Sequence, residues 1–217
     1  MMIDKASLAV VAVAANNAGR YATSGVFVEA GGISVATDGC CMAAVSPLPD
    51  CGNDVPKDGV VLPLGMVKDA IKALKPTKQH REPVALLEVG AVDKGGMTPV
   101  TIGAPFAGVS FQGYAAEGVF PNWREVMPTK KPVFTFALRS AFLKNVLTAL
   151  EAVGSDYDDG SGVTVSFDFY GERMPVVMRV KNGERSAVGV QMPVKVEDAA
   201  LTPFQAGLLK HEEEVKA

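Results

Sequence analysis

Between residues 20 and 45, in RYATSGVFVEAGGISVATDGCCMAAV, short apolar runs alternate with polar positions and are broken by Gly31-Gly32 and Asp38-Gly39. Side chains along a strand point alternately to its two faces, so Tyr21, Val26 and Val28 are placed on a first strand and Ile33 and Val35 on the next. Gly31-Gly32 supplies the positive-φ turn that a tight hairpin needs, and Asp38-Gly39 turns the chain again. The compact polar cluster Thr37-Asp38-Gly39 is therefore expected to be scaffold and not catalytic machinery.

The same succession, a helix followed by short strands with Gly or Asn turns, recurs three times along the chain. The first repeat runs from Ile3 to about Pro49, with a helix over 4–15 and strands near 20–29, 32–37 and 41–46. Asp4 is a suitable N-cap, the Ala-rich run favours helix, and Asn16, Asn17 and Gly19 end it. This apolar run also resembles the core of a signal peptide, but Asp4 argues against that, and the run falls short of the roughly 20 residues that cross a bilayer.

A loop containing Pro47, Pro49, Gly52, Asn53 and Pro56 leads to the second repeat. A strand is expected over 59–62 and a helix over 64–74. In that helix Met66, Val67, Ala70, Ile71 and Leu74 follow the spacing of a core-facing stripe, with Lys68, Lys72 and Lys75 opposite. Strands near 84–90, 98–103 and 107–113 follow, with a turn over 93–96, and FPNWREVMP at 120–128 closes the repeat. The third begins with a strand over 133–137 and a helix over 138–152. Ala141, Phe142, Val146 and Leu150 form its expected buried stripe, flanked by Leu138, Leu143 and Leu147, while Arg139, Lys144 and Asn145 fall towards solvent. Strands near 162–170, 174–180 and 186–194 complete it.

Composition narrows the functional classes. With 48% hydrophobic and 21% charged residues, the 217-residue chain is of ordinary globular composition. A net charge of -3 means that any nucleic-acid contact must come from Lys and Arg gathered on one face. Cys40, Cys41 and Cys51 lack metal-ligand spacing and lie far in sequence from His80 and His211, so neither a zinc site nor a disulfide framework is indicated. Adjacent Cys40 and Cys41 on a strand would face opposite ways, one buried and one partly exposed. Free thiols suit the reducing cytoplasm.

Three segments, GVFVEAGGISVATDGCCMA, FPNWREVMP and VQMPVKV, occur in an order that resembles the bacterial sliding clamp, the beta subunit of DNA polymerase III. That family carries a GVxxE...ATDGHRLA strand pair, closes its middle domain with FPDYxxVxP, and ends near MPMRL. The resemblance covers Ile3 to Val196. It implies an α+β DNA clamp (processivity-factor) fold of βαβββ units, with antiparallel sheets outside and helices on the concave face. It divides the chain into a complete clamp-like domain over 1–128, half a domain over 129–196 and a C-terminal tail over 197–217.

The resemblance further implies a non-enzymatic processivity factor that needs no cofactor or metal. It would encircle duplex DNA without reading sequence and tether a DNA polymerase or other replication protein. Lys68, Lys72, Arg139 and Lys144 are placed by it against the DNA backbone. The family's peptide-binding pocket maps onto Thr37, Gly39, Cys40, Cys41 and Met42, onto Pro121, Glu125 and Val126, and onto Val190, Met192, Pro193 and Val194. Thioether and small apolar side chains adapt well to partner peptides.

This chain departs from the family at several of these positions. Cys40-Cys41-Met42 stands where His-Arg-Leu is usual, Glu125 where a basic residue is common, and Met-Pro-Val-Lys-Val where Met-Pro-Met-Arg-Leu is usual. Only three repeats are present, whereas closed rings contain about twelve, so symmetric closure requires about four copies, or two third repeats could pair across a dimer axis. The tail segment around Gln205, Leu208 and Leu209 loosely resembles peptides that clamp partners insert into the pocket. Two alternatives remain open: a clamp-fold protein-binding module that does not encircle DNA, and an enzyme using Cys40 or Cys41 with His80, or Asp38 as acid or base, for which no ordering motif is present.

Overall fold

In a computed structural model, which describes residues 1–16, 21–47, 55–76, 83–128, 136–152, 162–171, 174–183 and 185–194, the chain is an α+β protein built on antiparallel sheets. It divides into two compact units, the first ending at Met127 and the second starting at Pro128.

The first unit contains β1 (Met2–Asp4), α1 (Lys5–Ala9), β2 (Gly25–Val28), β3 (Ser34–Thr37), β4 (Met42–Val45), β5 (Val60–Pro63), α2 (Leu64–Ala73), β6 (Val84–Val89), β7 (Pro99–Ala104) and β8 (Val109–Tyr114). Its sheets have the strand orders β1-β6-β7-β8 and β4-β3-β2-β5. The opening strand of each repeat therefore pairs in the other repeat's sheet: Ile3 lies opposite Ala85, and Val61 opposite Phe27. Because of this reciprocal exchange neither repeat has a core of its own. Ile3, Leu8, Val26, Val28, Leu62, Val67, Ala70, Leu87 and Ile102 form one shared apolar core.

Helix α2 presents the expected stripe, with Val67, Ala70 and Leu74 buried and Met66 and Ile71 packed beside them. Lys68, Lys72 and Lys75 are exposed. The Lys5 ammonium donates to the Leu74 carbonyl at 2.8 Å, placing a cation where the end of α2 leaves carbonyls unsatisfied. The turns follow the glycines, with φ of 108° at Gly31, 85° at Gly32 and 93° at Gly39.

Near the N-terminus the expected long helix is corrected. Met2–Asp4 is a strand, α1 spans five residues, and Val10–Val13 continues as a 3₁₀ turn. Asp4 does cap α1, accepting from the Ser7 amide at 2.9 Å. β-Branched Val10, Val11 and Val13 crowd the preceding turn of an α-helix, which offsets the preference of the intervening alanines. Tyr21 falls in a 3₁₀ turn, Tyr21–Thr23, ahead of β2 and not on the strand.

The second unit holds α3 (Ser140–Glu151) and a sheet of β9 (Ser166–Phe169), β10 (Val176–Asn182) and β11 (Arg185–Gln191) in the order β11-β10-β9. Leu150, Met178 and Val180 are its buried centre, with Leu143, Val146, Leu147 and Ala187 packed around them. The expected stripe on α3 is corrected by one row. Ala141 and Phe142 are exposed, and Leu143, Val146, Leu147 and Leu150 carry the three-and-four spacing that meets the sheet. Gly189 permits the approach, since a Cβ there would sit 2.3 Å from Val146 Cγ1. Of the strand expected over 133–137, residues 133–135 lie outside the described residues, and Ala137 bridges to Val194.

Candidate functional site

The Thr37–Met42 segment folds around one carboxylate. Asp38 Oδ1 accepts from the backbone amides of Cys40 and Cys41, each at 2.8 Å, and from Cys41 Sγ at 3.4 Å. Thr37 Oγ1 accepts from the Gly39 amide at 3.0 Å and donates to the Cys41 carbonyl at 2.6 Å. Asp38 is thus an Asx-type turn former, and the Cys41 and Cys40 amides hold its carboxyl below the ordinary aspartate range.

The two cysteines occupy this turn and not a strand, and both are exposed free thiols, which corrects the expected buried and exposed pair. Desolvation, then the Asp38 carboxylate, pushes the Cys41 thiol up, opposite to what activates a nucleophile. Cys51 and His80 lie outside the described residues, as does the tail from 195 onward. Among the described residues no cluster of His, Cys, Asp and Glu could hold a metal ion, and no helix is long and apolar enough to cross a membrane.

The FPNWREVMP segment splits into anchors and surface. Phe120 and Trp123 are buried against the face of the β4-β3-β2-β5 sheet that carries Val35 and Val61. The Phe120 ring stacks on Phe27 with centroids 4.8 Å apart. Arg124 lies 4.2 Å over the Trp123 ring and grips Glu29 with both guanidinium nitrogens, Nη1 to Oε1 and Nη2 to Oε2, the latter at 2.8 Å. Asn122 donates to Glu125 at 2.7 Å. Pro121, Glu125 and Val126 remain exposed. Half-buried Met42 packs against the same Phe120 and Trp123 cluster, so the structure brings the first two candidate segments together through Met42.

The third candidate segment lies in the second unit. Val190 and Met192 are exposed, while Pro193 and Val194 are half-buried. The Val194 amide donates to the Ala137 carbonyl at 2.9 Å, and buried Gln191 donates to the Arg139 carbonyl at 3.2 Å.

The candidate cations follow the repeat. Lys68 and Lys144 occupy the same position counted from the first residues of α2 and α3, Leu64 and Ser140, and both are exposed. Lys72 is exposed but paired with Asp69 at 2.9 Å. Arg139 precedes α3 with its guanidinium carbon 6.0 Å from the Phe142 ring centre. One backbone bond ahead of each helix repeats as well: the Ala116 amide bonds to the Val61 carbonyl at 2.9 Å, as the Val194 amide does to the Ala137 carbonyl.

No family model and no curated protein matches the chain. Among solved structures, one described as Caulobacter crescentus pol III beta superimposes over 91% of this chain with a TM-score of 0.60. The chain has the sliding-clamp fold. It spans 51% of the length of that pol III beta chain, at 17% sequence identity. At that identity the agreement lies in the backbone, and the roles of individual side chains rest on their own geometry.

The Phe27–Phe120 stack and the Arg124–Glu29 pair were not legible in the sequence. Their partners stand far apart along the chain, and the GVxxE motif, which includes Glu29, does not say what its carboxylate pairs with.

Proposed function

We propose that this protein is a non-catalytic processivity factor of the sliding-clamp type, which assembles with further copies of itself around duplex DNA and tethers a DNA polymerase or another replication protein. The observation that carries this reading is the clamp fold together with an exposed lysine at the same position of α2 and α3. Repeated helices presenting the same charge suit a contact with the phosphate backbone that ignores base sequence. Lys68 and Lys144 are its principal contacts, with Arg139 beside them and Lys72 weakened by its bond to Asp69. Residues 1–128 act as a complete clamp domain and 129–196 as half of one.

Partner peptides are held on the first unit by the Thr37–Met42 turn and the exposed Pro121, Glu125 and Val126. On the second unit, taken by itself, Val190, Met192, Pro193 and Val194 are proposed as peptide contacts, with Val190 and Met192 exposed. Sulfur and short aliphatic groups dominate this set, which suits apolar peptide side chains. No cofactor takes part, and the cytoplasm is the expected setting. The turn is occupied by its own hydrogen bonds, and the Cys41 thiol is held protonated, which supports binding over catalysis.

Duplex binding measured by fluorescence anisotropy at several salt concentrations tests the DNA contact. Each neutralised phosphate contributes about 0.9 to the slope of log affinity against log salt, so Lys68→Ala with Lys144→Ala lowers the slope by roughly 2 per chain, equally on unrelated sequences. An unchanged slope contradicts the assignment. Retained partner binding with no DNA affinity at any salt concentration would leave a protein-binding module of the same fold.

A further inference from the structure

Among the described residues the second unit holds one helix followed by three strands, as a single repeat does, and the first unit displays what such a repeat packs against. We propose that the second unit is completed by the same unit of a second copy of this chain, across a twofold axis that buries Phe142 and Phe167. The proposal specifies the self-association in the function proposed above, but it rests on repeat geometry alone and not on DNA binding.

The strands that follow the helix of each repeat can be compared directly. In the first unit these are β2 and β6, whose inward positions Val26 and Val28 are 0% exposed and Ala85 and Leu87 1% exposed. In the second unit it is β9. Phe167 and Phe169 lie opposite Met178 and Val176 of β10, both buried, so these two phenylalanines also face inward. They are nevertheless 40% and 44% exposed, stacked on each other with centroids 6.5 Å apart.

The helix shows the same deficit. Phe142 stands third in α3, where α2 has Met66, which packs into the shared core of the first unit. Phe142 is 54% exposed. By contrast Met178 and Val180, the positions that α3 itself covers, are as buried as their counterparts in the first unit. For β9 the shortfall thus falls on side chains that, on β2 and β6 of the first unit, a second repeat helps to cover. There α1 packs on α2, α2 packs on β2, and β5 pairs with β2, all across the boundary between repeats.

The occupant follows from the reciprocity of that boundary. In the first unit β1 is given to β6 while β5 is given to β2, so each repeat supplies to the other what it receives. Two identical repeats related by a twofold axis meet the same requirement, which is the definition of an isologous contact. A second copy of this chain brings such a repeat with the same inward aromatic residues.

Sedimentation of the full chain tests this, since a subunit weighs 22.7 kDa. The wild-type protein is expected to sediment at twice that mass or an even multiple of it. Phe142→Glu, at an already exposed helix position, is expected to halve the mass or weaken association at least tenfold, with far-UV circular dichroism unchanged. Phe167→Ser provides a second variant should the first fail to fold. A wild-type monomer at about 100 μM, or an oligomer indifferent to both substitutions, overturns the proposal. So does a monomer in which deletion of residues 197–217 newly exposes Phe142 to solvent, because the chain's own tail would then be the cover. A dimer that ignores DNA refutes the processivity function and leaves this contact standing, whereas a monomer that binds DNA does the reverse.

Discussion

Truncating Phe120 separates the structural half of FPNWREVMP from its surface half. The Phe120 ring is buried, stacks on Phe27 at 4.8 Å, and closes the cluster formed by Val35, Val61 and Trp123. Replacing a buried phenylalanine by alanine removes its transfer free energy and leaves a cavity, together about 3–5 kcal/mol. The segment lies on the outside of a sheet, where the chain can settle partly into the gap, so the low end, about 3 kcal/mol, is expected for Phe120→Ala. That is a large share of the roughly 5–15 kcal/mol that stabilises a folded domain. With a urea slope near 2 kcal/mol per molar, the midpoint should fall by about 1.5 M. Trp123, the single tryptophan of the chain, packs in the same cluster, so its fluorescence reports this transition directly. Val126→Ala, at an exposed position of the same segment, should stay within about 0.5 kcal/mol of wild type. If the two variants unfold alike, or Phe120→Ala costs less than about 1 kcal/mol, the division of this segment into anchors and surface is wrong.

Three further outcomes follow from the same geometry. Arg124→Leu leaves the Glu29 carboxylate without its two charged donors, and with both side chains partly exposed the expected loss is about 1–2 kcal/mol, read by urea unfolding. Asp38 has a lowered pKa when folded, so its contribution to stability is complete at neutral pH and is lost only as pH falls through that lowered value. The Cys40 and Cys41 amide proton shifts should therefore titrate together with a midpoint below the ordinary aspartate value of about 3.9, and a midpoint at or above it contradicts the turn. In a Cys40→Ser, Cys51→Ser background, Asp38→Asn should speed labelling of Cys41 near pH 8 by removing the carboxylate that helps keep the thiol protonated; equal rates would count against that pairing.

Much of the fold was readable where a single periodicity governed a segment. The stripe of α2 and the glycine turns at 31–32 and 39 needed only local rules, because burial on one helix face and positive φ are properties of short windows. Strand β1 was not readable, since three residues with one buried position show no alternation and its partner, β6, lies more than eighty residues away. The exchange of opening strands was hidden for the same reason. On α3 the expectation slipped by a row because Phe142 is as apolar as Leu143, and hydrophobicity alone does not reveal which of two adjacent rows meets the sheet. The resemblance pointed to the segments 37–42 and 120–128, but not to the division of labour within them. Phe120 and Trp123 sit in the core, whereas Pro121, Glu125 and Val126 face solvent. Cys40 and Cys41 were misplaced because Asp38 gathers their amides and delays the start of β4 to Met42.

Encirclement is a topological property, and circular DNA measures it most directly. The protein should be retained on a closed circular duplex through gel filtration at a salt concentration that strips linear DNA of it, and should be released once a single restriction cut opens the circle. Equal rates of loss from circular and linear DNA would contradict the assembly of this chain into a clamp.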